Sequence, residues 1–78
     1  MKAHITKLIK NMEEANEMSE ALKAYNLFMA GKQEDKKLIA TYKMRADSFT
    51  VTIEEKSKEI ATLKEFLISL EGIPYNIA

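Results

Sequence analysis

Four glutamates, Glu13, Glu14, Glu17 and Glu20, crowd one short stretch of the chain. Carboxylates at helical spacing can hold a divalent cation or exchange protons. A carboxylate-bridged metal pair inside a helical bundle also needs Glu-x-x-His pairs, and the only histidine, His4, belongs to none. The cluster therefore reads as a solvated or charge-paired face, and His4 as a surface residue near the N-terminus. One imidazole and no cysteine cannot build a zinc site, and disulfides are excluded. The sequence has no glycine-rich phosphate loop, no nucleophile elbow and no support for a Ser-His-Asp arrangement. No catalytic role, cofactor or metal is expected.

What chemistry remains is that of binding. Tyr25, with Lys23, Lys32, Lys36 and Lys37, could form a basic, aromatic patch near a turn. With Arg45, it is where a small anionic ligand such as a nucleotide would be sought, by stacking on the ring and pairing with the cations. At helical spacing, however, Tyr25, Phe28, Tyr42 and Phe49 read first as core. Arg45 stands alone among eleven lysines. That bias reflects either A-rich codons or, at this position, a need for planar bidentate donors that lysine lacks.

These residues must be carried by helices. Two glycines and one proline divide the chain: Gly31, then Gly72 followed by Pro74. Glycine past a helix end with proline close behind is a stop signal, so helices are expected over 3–30 and 34–71, with a turn at 31–33 and an apolar tail at 72–78. The first helix shows a stripe at Ile5, Leu8, Met12, Ala15, Met18, Leu22, Tyr25 and Phe28 or Met29. The second follows a strict 3-4 alternation: Ile39, Tyr42, Ala46, Phe49, Ile53, Lys56, Ile60, Leu63, Leu67, Leu70. A period of about 3.5 residues sustained over heptads specifies a coiled-coil seam. Lys56 interrupts it, either snorkelling to solvent, fixing register as a buried polar group, or binding an anion. Ser48 to Ile53 is β-branched and alternating, and Thr52 with Glu55 resembles a capping box, so a break near 47–52 giving three helices is the alternative to a continuous helix.

The fold class expected is all-α, a single-domain antiparallel hairpin assembled as an oligomer. A turn centred near Lys32 pairs residues whose numbers sum to about 64. Lys7 and Lys10 then face Glu54, Glu55 and Glu59, while Glu17 and Glu20 face Lys43 and Arg45. In that register the second helix outruns the first. The overhang from Lys64 onward holds Phe66, Leu67, Ile68 and Leu70, with Ile73, Tyr75 and Ile77 in the tail. These seven residues are the expected interface with another copy or with a protein partner, because each buried large side chain is worth ~1.5–3 kcal/mol.

Composition limits the function classes. A chain of 78 residues, 46% hydrophobic and 31% charged, suits one small folded domain. A formal net charge of zero argues against nucleic acid as partner. No apolar run is long enough for a membrane span, and no secretory h-region follows Lys2, so a cytoplasmic location is the default. The expected function is that of a non-enzymatic oligomeric interaction protein, a small regulator, inhibitor or assembly factor of the kind phages and mobile elements encode. The alternative is an oligomer that sequesters a small anion such as a nucleotide.

Overall fold

In the computed structural model the chain is two helices packed as a hairpin, α1 (Lys2–Lys32) and α2 (Lys36–Ile77). The structure describes the backbone of residues 1–77 and the side chains of residues 1–71. The molecule measures 66 × 15 × 12 Å. Its radius of gyration of 18.3 Å far exceeds the ~11.5 Å of a compact domain of this length. It is a rod one helix pair thick.

The turn is made differently from the sequence expectation. No residue in the described chain adopts positive φ, so Gly31 is not a left-handed cap. It is an ordinary helical residue. α1 ends one residue later, and Gln33 leaves it in extended conformation (φ −90°, ψ 145°), its N–H donating to the Ala30 carbonyl. Asp35 then opens α2: its Oδ1 accepts from the Lys37 N–H at 2.8 Å, which satisfies one of the donors a helix start leaves free. At its far end α2 runs past Gly72 and Pro74 to Ile77, beyond both expected stops.

α2 is also unbroken through 47–52. The Thr52 hydroxyl does not cap a new helix; it donates to the Ser48 carbonyl, one turn back. Thr50 does the same to Ala46, and Thr6, Thr41 and Thr62 to the residues four before them. Back-bonding of this kind lets a β-branched threonine sit inside a helix without an idle hydroxyl.

Contacts between the helices set the register. Asn16 meets Ser57 and Lys2 meets Glu71, pairs whose numbers sum to 73, while Glu13 meets Lys64, a sum of 77. The expected sum of 64 was short by about nine residues, or ~13 Å along the axis. Part of the difference comes from the turn, which lies at 33–35 and not at the expected 31–33. Among the described residues the ion pairs are Lys2–Glu71 and Glu13–Lys64, not those expected around Lys7, Lys10, Glu17 and Glu20.

A sum of 72 aligns two heptad seams layer by layer. On α2 every expected seam residue from Ile39 to Leu70 is buried or half-buried. On α1 the matching seam is Ile5, Ile9, Met12, Asn16, Ser19, Lys23, Asn26 and Ala30, also at alternating steps of four and three, with the half-buried Gln33 just past the helix end. Ile5 is level with Leu67, Ile9 with Leu63 and Met12 with Ile60, giving an apolar end. Asn16 is level with Lys56, Lys23 with Phe49 and Asn26 with Ala46, giving a polar middle. Among the described residues only Ile9, Asn26, Ala30, Ala46 and Ile60 are buried, and no large side chain is fully so.

A Cβ on Gly31 would meet nothing within 4 Å. Gly31→Ala is therefore expected to stabilise the protein by ~0.5–1 kcal/mol, through a stiffer unfolded chain and better helix propensity. A rise of a few degrees in the thermal midpoint is the expected reading. A fall would show that Gly31 works as a left-handed cap after all.

Candidate functional site

The described residues hold no group of three or more His, Asp or Glu side chains able to grip a metal ion. Glu13 is occupied by Lys64 at 3.4 Å, and Glu14, Glu17, Glu20 and His4 lie exposed along α1. The ion pairs are about half exposed, so each contributes only a few tenths of a kcal/mol. The candidate anion contacts are exposed as well, except Lys23, which is half-buried in the seam. Lys32 lies over the Phe28 ring at 5.0 Å, and Arg45 over the Tyr42 ring at 5.4 Å. Two of the six cations and rings sought for a ligand thus lie over rings of their own helix. Lys36 and Lys37 occupy the first turn of α2, and Tyr25 projects from α1.

A groove of about 690 Å³ runs between the helices, lined by Leu8, Met12, Lys58, Glu59, Thr62 and Leu63. None of the expected anion-contact residues lines it. Its walls are mostly apolar, as suits an apolar side chain more than a phosphate.

The corrected register changes the expected interface. Leu67 and Leu70 are not an overhang: they are seam residues, half-buried beside the first turns of α1. Phe66 and Ile68 remain 44% and 67% exposed. Ile73, Tyr75 and Ile77 lie outside the residues whose side chains are described.

The larger uncovered surface is on α1, where the sequence placed the core. Writing the α1 seam as heptad positions a and d, the g positions are Leu8, Ala15, Leu22 and Met29, and the c positions include Met18 and Tyr25. These make up most of the stripe expected to face α2. Ala15 and Met29 are half-buried, but Leu22 is 42%, Tyr25 54% and Met18 67% exposed, with Leu8 and Phe28 exposed beside them. The strip is turned roughly 100° from the seam, two to three positions round a heptad wheel. Four of the eight seam residues of α1 are polar: Asn16, Ser19, Lys23 and Asn26. Sequence reasoning missed them because it followed hydrophobicity, and their regular 3-4 spacing was the signal available.

The two flanks of the hairpin differ. In an antiparallel pair, e positions face e and g positions face g. The e flank carries the Glu13–Lys64 pair and the Asn16–Ser57 hydrogen bond. The g flank carries the apolar strip of α1, the groove, and Leu38 and Phe66 of α2, both exposed. The e flank carries the polar contacts between the helices, and the g flank carries most of the exposed apolar side chains of α1, with Arg45, Thr52 and Glu59 among those of α2.

No known protein family, curated protein or solved structure matches the chain.

The Asn16 carboxamide oxygen is buried with no hydrogen-bond partner, while its amide donates to Ser57 at 3.1 Å. An unpaired buried polar atom costs ~1–3 kcal/mol. Asn16→Leu should therefore raise the unfolding free energy by ~1–2 kcal/mol after losing the exposed bond to Ser57, read as a higher urea midpoint. A lower midpoint would mean that the polar layer with Lys56 contributes more to the fold than its geometry indicates.

Proposed function

We infer that this chain is a non-enzymatic interaction protein whose working surface is the apolar strip of α1 and the g flank around it. The observation that carries the reading is the mismatch on α1. The helix turns its polar positions to α2 and leaves Leu8, Met18, Leu22 and Tyr25 uncovered. Scattered apolar residues on a surface need no explanation, but a continuous strip at heptad spacing is a helix-docking surface.

The described residues also leave little room for chemistry of another kind. The acidic cluster does not converge, the groove is apolar, and two of the ligand-binding candidates lie over rings of their own helices. Regulation, inhibition or assembly through helix–helix contact fits what the surface offers.

A strip that is merely solvated predicts little from charge insertion, since exposed substitutions generally change stability by less than ~0.5 kcal/mol. A docking surface predicts much. Met18→Glu combined with Leu22→Glu should lower the solution mass and the thermal midpoint together. A double variant with the mass and midpoint of the parent would remove the reading.

A further inference from the structure

Resting on that reading, we propose that the g flank is covered by a second copy of this chain, related by a two-fold axis at Thr52, to form an antiparallel four-helix bundle.

The first argument is sufficiency. The hairpin buries five residues among those described, one of them Asn26, and has no metal cluster or disulfide to supplement that core. In chains this small a single core rarely supplies more than ~3–5 kcal/mol, and association is one way to add to it. The uncovered side chains of Leu8, Met18, Leu22, Tyr25, Leu38 and Phe66 expose on the order of 600 Å², at the upper end of what monomers carry and near the ~800 Å² per partner of a standard interface. Polar residues between them supply the remainder.

The second argument is direction. The strip and the seam of α1 lie roughly 100° apart, close to the right angle between the two neighbours of each helix in a square four-helix bundle. A helix of the second copy on the strip and α2 on the seam fill those two places.

The third argument is self-complementarity, which a two-fold interface requires. The g positions of α2 are Leu38, Arg45, Thr52, Glu59 and Phe66, all exposed. They are symmetric about Thr52. An antiparallel copy with its axis there sets Leu38 against Phe66, Arg45 against Glu59 and Thr52 against Thr52, each contact made twice. The only arginine of the chain thus meets a carboxylate, for which its planar donors are suited.

The hairpin register carries that axis to α1 near Glu20. There it sets Met18 beside Leu22 of the second copy and Ala15 beside Tyr25, small against large. It also brings Met29 and Leu38 of the second copy level with the groove between Leu8 and Leu63. One axis, fixed by charge on α2, therefore centres the apolar strip of α1 on itself.

Ultracentrifugation of the full chain at micromolar concentration should give twice 8.9 kDa. Since the chain has no cysteine, Thr52→Cys should cross-link to a dimer with a short bismaleimide far faster than Ala61→Cys, an exposed control. Arg45→Glu and Glu59→Arg should each weaken the dimer at least ~10-fold, and the double exchange should restore it. A monomeric parent overturns the proposal. So does an oligomer in which Thr52→Cys reacts no faster than the control and the exchange restores nothing. In the latter case, disruption by Met18→Glu with Leu22→Glu would leave the interaction reading standing with a different arrangement; indifference to that change would remove both.

Discussion

A helix can bury only the strip that another element covers, and each helix of this hairpin has one neighbour. That constraint governs the rest of the structure. Two heptad seams meet in a single register, and everything off them is left to solvent or to a partner. Over about ten layers the seam is long enough to fix direction and level. It is too narrow to enclose any large side chain fully, and so the buried residues are small or only just covered: Ala30 and Ala46 with Ile9 and Ile60. A third or fourth helix is what ordinarily turns such a seam into a core.

The seam itself is divided. Near the N-terminus of α1, Ile5, Ile9 and Met12 stand level with Leu67, Leu63 and Ile60, and apolar burial holds the helices together. From Asn16 onward α1 contributes amides, a hydroxyl and a lysine. Asn26 settles its amide within its own helix, on the Leu22 carbonyl at 2.7 Å, and Asn16 uses Ser57. Polar layers of this kind weaken a seam and restrict its register, because a slip would bring amides against leucines. The half-buried Lys56, level with Asn16, belongs to that layer. Its aliphatic stem can lie along the seam while the ammonium reaches water.

How far the sequence could be read follows from the same division. The seam of α2 was legible, because every residue of its 3-4 alternation is buried or half-buried, but its end was not, since the helix runs on past Gly72 and Pro74. The hairpin and its antiparallel sense were legible from the interruption near residue 31. The register was not. Gly31 looks like a terminator, but the chain reverses through the extended Gln33 and the capping Asp35, and nothing in the residue types says that the helix carries through the glycine. The seam of α1 was hidden for a more general reason. Hydrophobic periodicity finds the most apolar strip of a helix, not the strip nearest its neighbour in sequence, and on α1 these differ. For Phe66, Leu67, Ile68 and Leu70 the apolar character was read correctly. Their supposed isolation was a consequence of the misplaced register, and two of them are seam residues.

The difference between the flanks gives the polar seam a reason. If α1 met α2 through its most apolar strip, the hairpin would satisfy itself and show the outside world only charge. Instead the polar positions are spent where the short connection already enforces proximity, since a turn of a few residues holds the two helices together at high effective concentration. Under the proposed dimer the apolar positions serve a contact with no covalent link behind it. An intermolecular contact must also overcome the loss of translational and rotational freedom, so it needs the stronger surface. With the proposed dimer, the weak seam and the uncovered strip become two consequences of one allocation, specificity inside the hairpin and affinity on its g flank.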